Sequence, residues 1–469
     1  MDLNRSGKFE KLLEIESELE LWNYNVNGVH LWPLIRTNVY SLAENAMQGY
    51  CQAHASRNYG KFLRTGPVLN FLKTGKLFIS REKHFDSVFF TTARNQRYNP
   101  KTTTYYDQFY QPYFSLFLKP LIFEGSYQDM IKQPRELERN TFLLDFVPIN
   151  ATIKSFKAHI LGKQNEKEIS EFLELICRSF MLSNNYSYLY KKLYRRVHAA
   201  QHLIDYTDNI ACRMDGNIAF VHCSSYLADM GVVTKRLKDN GITTVELQHG
   251  YVSPEHFAYN YPVRSTRNIA KEYLPDYYLT FGEYWNEQIQ TPSTAVAVGN
   301  PSFNIVRGTY ENTFTEIPNS ILIVSQGTVT PKMVEIAKYL SQAFSRYTIF
   351  FKLHPGEVPF THRYEDLKKH HNIQIKTYDN IYELIASSEI IVGYDSTTLF
   401  EALAFSGKRI FILNNNLVPD SLGYKFSSCE ELRDAILDGE SGYPSAQPSY
   451  FWEPNWKTNM SSFLNGFCL

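Results

Sequence analysis

Phe350-Phe-Lys-Leu-His-Pro-Gly-Glu357 and, about forty residues later, Ile390-Ile-Val-Gly-Tyr-Asp-Ser-Thr-Thr-Leu-Phe-Glu401 decide the fold. Each is a short apolar run that stops abruptly at polar residues, which is how a parallel strand delivers functional groups to the carboxyl edge of a sheet. Around them strands are predicted at 320–325, 347–353, 372–376, 389–392 and 409–413, with helices at 331–345, 381–387, 396–405 and 429–438. Strands separated by helices mean a parallel sheet with right-handed crossovers.

The same alternation reads upstream. Strands are predicted at 87–92, 118–123, 141–147, 217–222, 243–247, 276–281 and 295–298, with helical patterns over 153–214 and 227–240. Residues 8–48 look helical with a break at 23–28, and Pro33 suits the first turn of the second helix. The stretch 61–76 is basic and apolar, fitting a membrane surface or a solvated linker helix. Residues 299–318 carry Gly, Pro and Asn without a period and read as a linker, and 444–469 reads as an aromatic, irregular tail.

A chain of 469 residues is too long for one ordinary core, so two domains are expected. The fold class is α/β, two doubly wound Rossmann-type domains facing a central cleft. The expected boundaries are a helical N-terminal extension over 1–80, a first Rossmann-like domain over 81–300 with a helical insertion around 150–215, a second over 318–445, and a tail over 446–469 packing back on the first. The 48 basic and 48 acidic residues cancel, so no global field attracts nucleic acid. Six cysteines without a Cys-x-x-Cys pair indicate neither a zinc cage nor a disulfide framework. No apolar run reaches the roughly 18 residues that span a bilayer, and the first residues lack a signal-peptide core, so a cytoplasmic protein is expected.

Common catalytic signatures are absent: no dinucleotide or phosphate-loop glycine pattern, no serine-hydrolase elbow and no Asp-x-Asp. His198 and His202 share a helix face, but Ala199 stands where a zinc protease has its Glu, so they read as ordinary helix histidines. No metal site and no cofactor are expected.

What is present is a set of strand ends. Ser325, Gln326, Gly327 and Thr328 close one strand with small side chains that let backbone N–H groups approach a phosphate. Lys352 and His354 close the next, where Pro355 and Gly356 hold the imidazole at the sheet edge. Asp395, Ser396, Thr397 and Thr398 stand at a helix start, where they cap it or grip an anion, and Glu401 lies one turn inside, placed to accept from ribose hydroxyls. In the first domain Gln248-His249-Gly250 ends a strand, the glycine permitting a turn that exposes the imidazole, and Glu246, Glu255 and His256 are near enough in sequence to orient it or share its proton.

These motifs, Leu247-Gln-His-Gly250, Lys352-Leu-His-Pro355 and Asp395-Ser-Thr-Thr398 with Glu401, resemble those of bacterial glycosyltransferases of GT-B fold that assemble capsule, teichoic acid and lipopolysaccharide: CDP-glycerol glycerophosphotransferases, polysialyltransferases and Kdo transferases. The likeness covers about residues 215–415. The tryptophan that the glycerophosphotransferases carry before this histidine is missing here, as is the acidic motif of the polysialyltransferases. By this resemblance His249 is the base, His354 the donor-phosphate histidine, and Ser396 and Thr397 the hydroxyls beside it.

The resemblance implies a metal-independent transferase that moves a sugar from a nucleotide-activated donor, CMP- or CDP-linked, to a cell-surface polysaccharide or lipid-linked glycan. A peripheral position at the inner membrane face follows only from the lipid-linked acceptors of those families. Two alternatives stand beside it: a sugar-nucleotide epimerase of the UDP-GlcNAc 2-epimerase type, and a non-catalytic scaffold of an envelope-glycan assembly complex.

Overall fold

The computed structural model describes residues 5–48, 74–75, 77, 84–99, 102–126, 134–135, 140–144, 165–262, 267–327, 329–354 and 356–467. The stretch 61–76, apart from Thr74 and Gly75, lies outside the described residues, as do 145–164, Thr328 and Pro355. Two compact units result. The first comprises Met1–Thr280, Trp285–Val298 and Lys457–Leu469, and the second Phe281–Tyr284 and Gly299–Trp456.

The first unit is built on a seven-stranded sheet: β1 (Phe85–Thr92), β2 (Pro120–Gly125), β3 (Thr141–Leu143), β4 (Met214–Val221), β5 (Thr243–Leu247), β6 (Tyr277–Thr280) and β7 (Thr294–Ala297). The order is β7-β6-β5-β4-β1-β2-β3 and every neighbouring pair is parallel. Ser87 to Thr91 of β1 are all buried, as a parallel strand covered on both faces requires. At the start of the β1/β4 pairing the register shifts, and Gly216 lies so close to β1 that a Cβ would come 1.8 Å from the Asp86 carbonyl oxygen.

Helices α1 (Arg5–Glu18), α2 (Leu31–Gln48), α3 (Glu166–Ser179), α4 (Tyr186–Ala211) and α5 (Ala228–Asp239) belong to this unit. On α3, Ile169, Phe172, Leu173 and Ile176 recur at helical spacing and are all buried. Arg36 of α2 and Glu16 of α1 are fully buried and paired at 2.9 Å; Arg36 also donates to the carbonyls of Phe257 and Asn260, and Trp22 and Tyr40 donate to the Glu16 carboxylate. This network ties the N-terminal helices to the loop that follows His249.

The second unit has a six-stranded parallel sheet: β8 (Ile317–Val324), β9 (Thr348–Lys352), β10 (Ile373–Lys376), β11 (Ser388–Gly393), β12 (Arg409–Leu413) and β13 (Tyr424–Phe426), in the order β10-β9-β8-β11-β12-β13. Its core joins Ile321, Ile323, Phe351 and Val392 to Met333, Ile336 and Leu340 of α7 (Thr330–Ala343).

The structure corrects the sequence reading at several points. Pro301–Thr313, read as part of a linker, is helix α6. Asn300 accepts from Phe303 N at 3.1 Å and Pro301 opens the first turn, so the residues taken as punctuation are a helix cap. The second strand starts at Pro120, with Leu118 wholly exposed before it. The C-terminal stretch contains helices at Pro448–Phe451 and Trp456–Asn465. Between β1 and β2, Gln96–Asn99 pairs antiparallel with Thr104–Asp107. Among the described residues no helix is long and apolar enough to cross a membrane.

Candidate functional site

Numbered by appearance within its own unit, each sheet has the strand order 3-2-1-4-5-6, with a seventh strand extending the first. In such a sheet the connections diverge between strands 1 and 4 and open a crevice at their carboxyl ends, where ligands of this fold bind.

In the second unit that point lies between β8 and β11. Ser325, Gln326 and Gly327 follow β8, His354 follows β9, and Asp395 and Ser396 follow β11, so the polar strand ends singled out in the sequence converge on one edge. Their organiser is Glu357, which the sequence reading did not single out. Its buried carboxylate accepts from Ser325 Oγ at 2.5 Å, Thr330 Oγ1 at 2.9 Å and the Tyr364 hydroxyl, and from the backbone N of His354 at 3.3 Å. Burial together with this carboxylate pushes the Tyr364 hydroxyl up to about 12. Glu357 thus fixes the β8 loop, the start of α7 and the backbone at His354.

His354 itself is exposed. Gly356 N donates to its Nδ1 at 3.1 Å, so the neutral ring carries its proton on Nε2, as a donor to an anion. Gln326 Oε1 is buried without a hydrogen-bond partner among the described residues.

Other expected ligands are placed differently. Lys352 is nearly buried and its ammonium donates to the carbonyls of Leu353 at 3.2 Å and Thr377 at 2.5 Å, so the cation meant for a phosphate is committed to backbone. Ser396 Oγ accepts from Thr398 N at 3.2 Å, an N-cap of the short helix α8 (Thr397–Leu403). Asp395 and Thr398 are buried. Glu401 accepts from the Tyr382 hydroxyl at 2.9 Å. Thr328 and Pro355 lie outside the described residues.

In the first unit the reversal lies between β1 and β4. His222 and Cys223 follow β4 and His249 follows β5, so three chemically active side chains share that edge. Cys223 Sγ is 3.7 Å from His249 Nε2, the two imidazole rings are 4.8 Å apart between centroids, and the Tyr110 hydroxyl is 3.3 Å from His222 Nδ1. Burial, opposed by a backbone hydrogen bond and aided by the Arg94 guanidinium, holds His249 down to about 4, so its ring is neutral at pH 7. Burial also lowers His222 and raises the Cys223 thiol.

Glu246 is fully buried behind His249, accepting from Ser225 N at 2.6 Å and the Tyr259 hydroxyl at 3.2 Å. Its Oε1 is 3.9 Å from His249 Nδ1, beyond hydrogen-bond reach, and burial pushes its carboxyl up to about 7. His256 Nδ1 accepts from Ala258 N at 3.3 Å and its Nε2 lies 3.1 Å from the Tyr226 hydroxyl, and the Tyr226 ring lies 6.0 Å from that of His249. Glu255 is half-buried on the same loop. Gly250 needs no glycine: its φ is not left-handed and a Cβ would meet nothing within 4 Å. The left-handed residue at this edge is Cys223, with φ 56°.

No protein-family model and no curated protein matches the chain. Among solved structures it is similar to the UDP-GlcNAc 2-epimerase from Methanocaldococcus jannaschii, at 12% identity and a TM-score of 0.46 over 81% of this chain and 99% of that one. It is similar to the UDP-GlcNAc 2-epimerase from Neisseria meningitidis bound to UDP-GlcNAc, at 11% identity and 0.45 over 81% and 100%. It is also similar to Acinetobacter baumannii MurG, at 11% identity and 0.37 over 81% and 95%. Values this low assign neither an activity nor a substrate.

Proposed function

We infer that the protein is a sugar-nucleotide enzyme, and that its reaction is transfer of a sugar, or a related polyol phosphate, from a nucleotide-activated donor to a glycan or lipid-linked acceptor. The observation that carries this reading is the convergence at the β8/β11 edge: the Ser325–Gly327 loop, the outward-donating His354 and the orphaned Gln326 carbonyl stand where the strand order reverses.

In this reading the second unit holds the donor. His354 Nε2–H and the loop amides after β8 stabilise the charge that builds on the leaving phosphate, a term that grows in the transition state and so accelerates transfer. His249 of the first unit takes the acceptor hydroxyl's proton. Its neutral state at pH 7 leaves Nε2 open to the proton, and Glu246 behind Nδ1, its carboxyl pushed up to about 7, loses its own proton as the imidazolium forms and offsets the low basicity of the buried ring.

The test is thermal stabilisation of the purified chain by CMP, CDP, UMP, UDP, GDP and dTDP, since a ligand of the folded state raises its melting point. A selective response, lost in His354→Ala, supports the donor site. His249→Ala should abolish transfer and leave nucleotide binding intact, and loss of both together refutes that division of roles. Turnover of a sugar nucleotide without acceptor would replace transfer by epimerisation, and silence across the panel would leave a non-catalytic scaffold.

A further inference from the structure

We propose that His222, Cys223 and His249 form a binding site for a divalent d-block cation of the zinc class, at the carboxyl edge of the first unit's sheet. Among the described residues this is the one group of three whose ligand atoms could hold a metal ion, and those atoms lie within 4.8 Å of one another. A tetrahedral ion with metal–nitrogen bonds of about 2.0 Å and metal–sulfur bonds of about 2.3 Å sets its donors roughly 3.3 to 3.5 Å apart. The 3.7 Å between Cys223 Sγ and His249 Nε2 is within about 0.2 Å of that spacing, and side-chain rotations that close the 4.8 Å span by about 1.5 Å bring in the third donor.

The surroundings point the same way. A metal-bound imidazole is held by a second group on its other nitrogen. Tyr110 OH stands 3.3 Å from His222 Nδ1, which leaves Nε2 of that ring for an ion. His249 Nδ1 has the Glu246 carboxyl 3.9 Å away, the partner that would fix the ring once Nε2 is ligated. The turn that aims the thiol is strained: Cys223, Leu227 and Ala228 have φ of 56°, 62° and 57°, where non-glycine residues each cost on the order of 1–2 kcal/mol. Strain of this kind clusters at ligand sites.

Two nitrogens and a sulfur select zinc, cobalt or copper over magnesium and calcium, which prefer oxygen. Three protein ligands leave a fourth position for water. The Arg94 guanidinium opposes a cation here, but it is exposed and screened by solvent. Binding displaces the thiol proton of Cys223 to solvent, so uptake of one ion releases one proton from that group.

The proposal goes beyond the transferase reading and limits it. His249 Nε2 cannot hold an ion and accept a proton together, so under that reading the metal-loaded protein is silent in transfer.

The experiment is a cobalt(II) titration of the full chain after removal of metal with a chelator. Expected are one bound equivalent, a near-ultraviolet thiolate-to-cobalt absorption band, and displacement of that band by zinc. Cys223→Ser should abolish the band and His222→Ala should weaken binding at least tenfold, with unchanged circular dichroism, while Cys212→Ser leaves the titration as it was. No band in the wild-type chain, or a band that survives Cys223→Ser, overturns the site. A variant that fails to fold leaves the wild-type titration to decide, and neither result depends on a nucleotide or on turnover, so failure of the transferase reading is seen separately.

Discussion

Ser325 Oγ donates to the buried Glu357 carboxylate at 2.5 Å, and through that single acceptor the loop after β8 is coupled to the strand end that carries His354. Donors from Ser325, Thr330 and Tyr364 depend on it. Glu357→Ala leaves three buried hydroxyls without their acceptor and should cost about 3–5 kcal/mol, whereas Glu357→Gln, which keeps one carbonyl oxygen, should cost about 1–2 kcal/mol. Denaturant midpoints of the two variants check this, and equal losses would refute the hub.

Arg36 and Glu16 form an ion pair with no solvent contact on either side. Arg36→Met strands the carboxylate and deprives the carbonyls of Phe257 and Asn260 of a donor, and should cost about 3–5 kcal/mol. Hydrogen exchange should rise first in the 257–261 segment. A loss under about 1 kcal/mol, or exchange unchanged there, contradicts the coupling of α2 to that loop.

Glu124 accepts from Gln96 Nε2 at 2.6 Å and pairs with Arg135, yet burial pushes its carboxyl up from 4.5 to about 7. Folded chains therefore keep a proton that unfolded chains release between pH 4.5 and 7. Stability should fall as pH rises through that window, by about 3 kcal/mol from this group, and stay level above it. Glu124→Gln should reduce the difference between unfolding midpoints at pH 5 and pH 8, Glu246 keeping its own share of it. An identical pH dependence in both proteins would rule the shift out.

Gly216→Ala would place a methyl 1.8 Å from the Asp86 carbonyl oxygen, where only backbone can yield. We expect a loss of at least about 2 kcal/mol from parting the β1/β4 ladder. A melting point within 1 °C of wild type would show that the two strands are not held this close.

Much of this architecture is legible in the sequence, because apolar runs ending in polar clusters report parallel strands directly. Lys352-Leu-His354 and Ser396-Thr-Thr398 were found at strand ends for that reason. The direction in which a side chain leaves was not legible. Lys352 turns to the Thr377 carbonyl, a partner set by the neighbouring connection rather than by its own strand. Cys223 looked like one of six scattered cysteines, since its proximity to His249 arises only when β4 and β5 pair. Residues 299–318 misled because Gly, Asn and Pro mark a linker and a helix cap alike.

The pairing of β4 with β1 has a further consequence for chain length. About 120 residues separate Thr92 from Met214, against about 60 between Val324 and Ser388 for the equivalent closure in the second unit. Doubling such a loop adds only about 0.6 kcal/mol of closure entropy. The length of the first crossover is therefore set by the core that α3 and α4 build against the sheet, through Ile169, Leu173, Leu189 and Leu193, and only weakly by the entropy of closing it.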